Sequence, residues 1–197
     1  MRLNFAKKAP QGIVYAFEPT QYAMLKLQKN LKLNSELSKI IIPINVFVAD
    51  QDSADSSGLK AFASWKLEQG KSDSFKHPIH KGILQNTEGV SSIKIDTFCN
   101  KNSIKKLDVI KIDTDGNEYK VLVGAKETIK ELRPQVIFEI GSYVLNEEKL
   151  SFSLFHDFFT SLNYKMYNSI TGQLVDISNY KTIIPLKTTI DIIAIPA

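Results

Sequence analysis

Leu107 to Glu118 is the stretch that most constrains this chain. An apolar run, Leu107 to Ile112, stops at three acids, Asp113, Asp115 and Glu118, grouped around Gly116. A helix-period pattern follows at once in Glu118, Val121, Leu122, Ala125, Ile129 and Leu132. A buried strand that ends in carboxylates and turns into a helix is a site-bearing unit of an open α/β sheet. Ligands of such sheets sit beyond the carboxyl ends of the strands.

The flanking sequence repeats the theme. Met1 to Ala9 reads as the last turns of a helix, stopped at Pro10-Gln11-Gly12. Ile13 to Phe17 reads as a fully apolar strand that ends at Glu18-Pro19-Thr20, and Thr20 can cap a helix over Gln21 to Leu33. Ile40 to Val48 is a second strand, interrupted near Pro43, that ends at Ala49-Asp50. Gln51 to Gly89 reads as a long irregular loop, rich in serine and glycine but also holding Phe62, Trp65, Phe75, His77 and His80. Further strands are expected at Val90 to Ile95, Gln135 to Ile140, Tyr164 to Tyr167 and Thr189 to Ile195, with a helix from Ser151 to Asn163. Alternation of strands and helices predicts an α/β fold with a mostly parallel central sheet, and the last two strands predict an antiparallel C-terminal edge. No internal repeat or linker appears, so residues 1–197 are expected to form a single domain, with 51–89 as a long loop over the candidate site.

Composition narrows the function classes. No apolar run approaches the roughly 18 residues that cross a membrane, and the N-terminus lacks the apolar core of a signal peptide. The single Cys99 allows no internal disulfide and fits a cytoplasmic setting. The 25 basic residues include only two arginines, Arg2 and Arg133, and the lysines are scattered. That pattern reads as a solvated surface, with an anionic substrate or partner as the alternative, rather than as a nucleic-acid stripe. No glycine-rich phosphate loop of the dinucleotide or Walker type occurs. His77 and His80 lie close together without the three or four converging ligands of a metal site, so no metal is expected. Cys99 has no neighbouring base and is expected to be buried and inert.

The acids at the strand ends are the candidate site. Glu18 can accept from the hydroxyls of a ribose, or it can serve its own turn. Asp50 can meet an adenine amino group, or it is one loop acid among Asp52 and Asp55. Asp113, at the end of what should be a central strand, is the foremost candidate. Asp115 and Glu118 have the spacing of a capping box. Glu139 is divided, like Glu18, between crevice and turn. Trp65 and Phe62 are read as packing the loop down, with stacking on a substrate as the alternative.

Together these strand ends resemble the FkbM family of S-adenosylmethionine-dependent methyltransferases. The resemblance is carried by Val14-Tyr15-Ala16-Phe17-Glu18-Pro19, by Asn45-Val46-Phe47-Val48-Ala49-Asp50, and by Asp108 to Glu118 with Val123-Gly124-Ala125. Arg133 to Ile140 and Asp191 to Pro196 extend it. The resemblance implies a Rossmann-like methyltransferase fold, S-adenosylmethionine as cofactor, and O-methylation of a hydroxyl on a sugar or polyketide-like small molecule. It implies that Glu18 holds the ribose, with Pro19 beside it in the cofactor site, that Asp50 lies near the adenine, and that Asp113, Asp115 and Glu118 stand at the methyl-transfer end. Asp113 is then the expected base, with His77 or His80 as alternatives. Glu139, Trp65 and His77 are expected on the acceptor side. The sequence departs from the family pattern at Asp115, where glutamate is commoner, and at Asn117, where alanine is commoner.

Methyltransferases of this fold also carry a first strand and a glycine-rich loop upstream of the Glu18 strand. This chain opens in what looks like the following helix. A truncated product is therefore expected, with a gap between the Glu18 and Asp113 strands and with unpaired edges that a homo-oligomer could cover. The rival expectation is a non-catalytic remnant that serves as an interaction module or has no function.

Overall fold

The apolar run before Asp113 folds as a strand, and the alternation around it is the one expected. The computed structural model describes residues 2–55, 59, 61–63, 82–85, 87 and 89–197. In chain order, α1 (Arg2–Lys8) leads to β1 (Val14–Phe17) and α2 (Gln21–Lys32). A short α3 (Ser35–Ser38) precedes β2 (Ile41–Ile44) and β3 (Phe47–Val48). β4 (Phe62–Ala63) and β5 (Ile83–Leu84) follow, then β6 (Ser92–Ile93) and α4 (Ile95–Lys101). β7 (Val109–Ile112) is succeeded by α5 (Glu118–Val123) and α6 (Lys126–Leu132). The remainder is β8 (Gln135–Ile140), α7 (Ser142–Glu147), α8 (Phe152–Ser161), β9 (Tyr164–Asn168), α9 (Tyr180–Ile183) and β10 (Ile190–Pro196).

β7 pairs in parallel with β8, which pairs antiparallel with β10, and β10 pairs antiparallel with β9. The antiparallel C-terminal edge is as expected. The parallel part is not one continuous sheet: among the described residues β1 pairs with β2 alone, and β3 with β6, as separate parallel ribbons. Among the described residues no strand lies between β1 and β7. The segment read as an irregular loop contains an antiparallel β4–β5 pair.

Two other departures have local causes. The single strand expected over Ile40 to Val48 divides after Ile44, not at Pro43, which stays inside β2. Asn45 leaves the strand, and its side-chain amide donates to the carbonyls of Glu18 and Pro19 at 2.8 and 3.0 Å. The helix expected from Glu118 to Leu132 is two helices. Asp96 of α4 accepts the Thr128 N–H at 2.8 Å and the Glu127 N–H at 3.2 Å. An acid placed there caps a new helix start in the middle of the periodic run.

One face of the β7–β8–β10–β9 sheet carries Ile110, Ile112, Val136, Phe138, Ile192 and Ala194, all buried at alternate positions. Leu122, Ile129 and Phe159 belong to the same core. Phe138 stacks on Phe155 and Phe159, with ring centroids 5.6 and 5.3 Å apart. Burying each such ring contributes about 1.5–3 kcal/mol. A smaller core gathers Ala6, Ala16, Met24, Leu27, Leu31 and Ile41 beneath α2. Tyr15 and Phe17 of β1 meet Phe98 of the main core edge-on, at 5.1 and 4.9 Å. Among the described residues no helix is long and apolar enough to cross a membrane.

Candidate functional site

Two turns at strand ends hold most of the candidate acids. The first follows β1. Thr20 caps α2 by accepting from the Ala23 N–H, and its own N–H and hydroxyl donate to Glu18 Oε1 at 3.1 and 2.8 Å. Glu18 is half-buried. Asn45 grips the two carbonyls on either side of the Glu18–Pro19 bond, so the ends of β1 and β2 are tied together.

The second turn follows β7. Asp113 is exposed at its start, and no protein group hydrogen-bonds its carboxylate among the described residues. Asp115 and Gly116 both take positive φ, 51° and 113°. The expected capping box does not form there. The left-handed pair shifts the helix start to Asn117, and α5 opens with Glu118. Glu118, only 4% exposed, turns its carboxylate back under the turn. Its Oε1 accepts the N–H and hydroxyl of Thr114 at 2.8 and 2.9 Å, and its Oε2 accepts the Gly116 N–H at 3.0 Å. Burial pushes the Glu118 carboxyl above the usual range, against the pull of these hydrogen bonds toward the charged form.

Glu139, near the end of β8, accepts from the Thr189 hydroxyl just before β10. Gly141 follows β8 at a close crossing: a Cβ there would stand 2.7 Å from the Thr188 carbonyl oxygen. Only glycine fits so near a backbone. α7 therefore starts directly above the sheet end and brings in Tyr143, a residue that sequence reasoning missed. Burial raises the Tyr143 phenol, and the charges of Glu139, Asp115, Glu147 and Glu118 raise it further. Three separately predicted acids thus lie within electrostatic range of one tyrosine. No signal in the sequence points to Tyr143, because it reaches the site through the Gly141 crossing.

Asp50 is half-buried after β3, and its backbone is packed on Gly124 at the end of α5. A Cβ at Gly124 would collide with the Ala49 carbonyl oxygen. This contact seats the helix that starts at Glu118 against the strand end that carries Asp50. Asp52, two residues on, serves α4: it accepts the Lys94 N–H at 2.8 Å and the Thr97 hydroxyl at 2.7 Å. The Lys94 amide, then the Thr97 hydroxyl, lower its carboxyl below the usual range. Cys99 is buried as expected, and desolvation pushes its thiol up. Trp65, His77 and His80 lie outside the described residues. Among the described residues no group of His, Cys, Asp or Glu is arranged to hold a metal.

Parallel strands that end in acids, beside short helices, define an α/β protein of the kind whose ligands lie beyond the carboxyl ends of its strands. The model of the FkbM methyltransferase domain matches residues 2–166, and the chain belongs to that family. Its fold is similar to the crystal structure of methyltransferase FkbM from Methylobacillus flagellatus KT, with a TM-score of 0.51 and 15% identity. That similarity covers 93% of this chain and 36% of the other, so this chain spans little more than a third of that protein's length. Among curated proteins no relative matches the chain.

Proposed function

We propose that the strand-end crevice binds S-adenosylmethionine and directs its methyl group to a hydroxyl of a sugar or polyketide-like small molecule. The observation that carries this reading is the Glu18 turn. In a chain of this family, a carboxylate at the end of β1 is held at one oxygen by Thr20 and backed by Asn45. A fixed, half-buried acceptor suits a pair of vicinal ribose hydroxyls. Asp50, half-buried at the end of β3, has no hydrogen bond to its carboxylate among the described residues and suits an adenine amino group. The residues present therefore fit the adenosine half of the cofactor.

Bound S-adenosylmethionine supplies an electrophilic methyl group on a sulfonium. The protein's task is then alignment and proton removal. Asp113, exposed and with no hydrogen bond to its carboxylate among the described residues, would accept the acceptor's hydroxyl proton there. Asp115, Glu139 and Tyr143 would line the acceptor side, with Glu118 beneath them. Trp65 and His77 remain proposed acceptor contacts in the 51–89 segment. A cytoplasmic setting fits the single buried cysteine.

Isothermal titration with S-adenosylmethionine and S-adenosylhomocysteine tests the reading, with a Kd in the micromolar range expected, about −8 kcal/mol at 1 μM. Asp113→Asn should then abolish methyl transfer while leaving that Kd unchanged; unchanged turnover removes Asp113 from the role. One observation favours a second reading, an interaction module without catalysis. β1 and β7 each have an edge that pairs with no strand among the described residues. Such edges invite a homo-oligomer or another chain. Lack of cofactor binding, together with self-association in sedimentation, would select it.

A further inference from the structure

We infer that Glu118 is a positioning residue: its buried carboxylate clamps the Asp113–Gly116 turn and so sets where Asp113 and Asp115 stand at the end of β7. The inference rests on the methyl-transfer reading of that strand end. Glu118 is too deeply buried to meet a ligand itself. Both of its oxygens are committed to the turn, one to the N–H and hydroxyl of Thr114 and the other to the N–H of Gly116. These donors bracket Asp115, which is held at φ 51°, a conformation that L residues with a Cβ avoid. The Asn117 side chain adds a tie to the Thr114 carbonyl at 3.2 Å. The Glu148 side chain of the α7 end lies 3.5 Å from where a Gly116 Cβ would be. A turn with two consecutive left-handed residues has relaxed alternatives, and the carboxylate is what selects this one.

The geometry makes Gln a discriminating replacement. An amide has one acceptor oxygen and one NH2 group, so either orientation points a donor at the Thr114 N–H or at the Gly116 N–H. Glu118→Gln should speed amide exchange at Thr114 and Gly116 by about tenfold or more, with Val136 and Phe138 of β8 unchanged. It should lower the kcat of methyl transfer by about tenfold while leaving S-adenosylhomocysteine affinity unchanged, as expected for Asp113→Asn. Thr114→Val, a milder change that removes one donor, should move both readouts in the same direction. Thr114→Ser keeps that hydroxyl and should restore both. Unchanged exchange in Glu118→Gln overturns the inference. So does faster exchange with unchanged methyl transfer, because the turn would then not matter to the site. If the unmodified chain binds no S-adenosylhomocysteine, the methyl-transfer reading falls instead, and the exchange arm still decides whether Glu118 sets the turn.

Discussion

The turns after β1 and β7 use the same small device and use it differently. In each, one carboxylate oxygen accepts both the N–H and the hydroxyl of a threonine: Glu18 from Thr20, Glu118 from Thr114. Glu18 precedes its threonine and remains half-buried at the strand end, whereas Glu118 follows its threonine and is almost sealed. Burial decides the consequence. An accessible acid can keep a turn in shape and still meet a ligand. A sealed one can only shape the turn, and the exposed acid at its start, Asp113, has no hydrogen bond to its carboxylate among the described residues.

Gly124→Ala should give the largest effect, because it disturbs the junction between the two regions. The added methyl would collide with the Ala49 carbonyl, which is backbone and cannot swing aside. A loss of about 3 kcal/mol or more is expected from urea unfolding. A loss below about 1 kcal/mol would mean that α5 is not seated on the β3 end. Glu118→Ala comes next, with an expected loss of about 2 kcal/mol as the Thr114 and Gly116 amides lose their acceptor. Glu18→Gln is its counterpart at the accessible turn. It should leave stability within about 0.5 kcal/mol and weaken S-adenosylhomocysteine binding about tenfold, roughly 1.4 kcal/mol. If Glu18→Gln proves as destabilising as Glu118→Ala, the distinction between the two turns is wrong.

What the sequence disclosed follows the reach of each interaction. β1, β7 and β8 were legible because their apolar runs end in acids, and the Thr20 cap was legible because capping is local. The split between α5 and α6 was not, since the residue that makes it, Asp96, lies 31 and 32 positions from the amides it accepts. The capping-box spacing at Asp115 misled for a different reason. Spacing records which residues can reach one another, whereas two left-handed φ angles move the helix start to Asn117. Tyr143 was invisible because its place depends on Gly141 crossing the Thr188 carbonyl, a contact between distant parts of the chain. For the same reason Asp52, read only as one loop acid of three, was not recognised as the cap of α4.

Asp52 and Glu118 also yield the smallest and most diagnostic prediction, because their carboxyls are displaced in opposite directions. The Lys94 amide and the Thr97 hydroxyl lower Asp52, so its contribution is present above the unfolded value of about 3.9 and is lost as pH falls through the lower folded value. Burial raises Glu118, so its contribution is full below the unfolded value of about 4.3 and is lost as pH rises through the higher folded value. Urea unfolding measured from about pH 2.5 to 7 should separate them. Asp52→Asn should flatten the loss of stability on the acid side, though not remove it, since Ser178 lowers Asp176 in the same direction. Glu118→Gln should remove the decline that sets in above about pH 4.3 in the unmodified chain. The Asp52 effect should be slight, because its side chain is exposed to water that screens it. Should Glu118→Gln leave the upper limb of the curve unchanged, Glu118 would have to be charged throughout that range. The Thr114 and Gly116 donors would then outweigh the cost of burial, which would make the clamp beneath Asp113 stronger than its enclosure alone suggests.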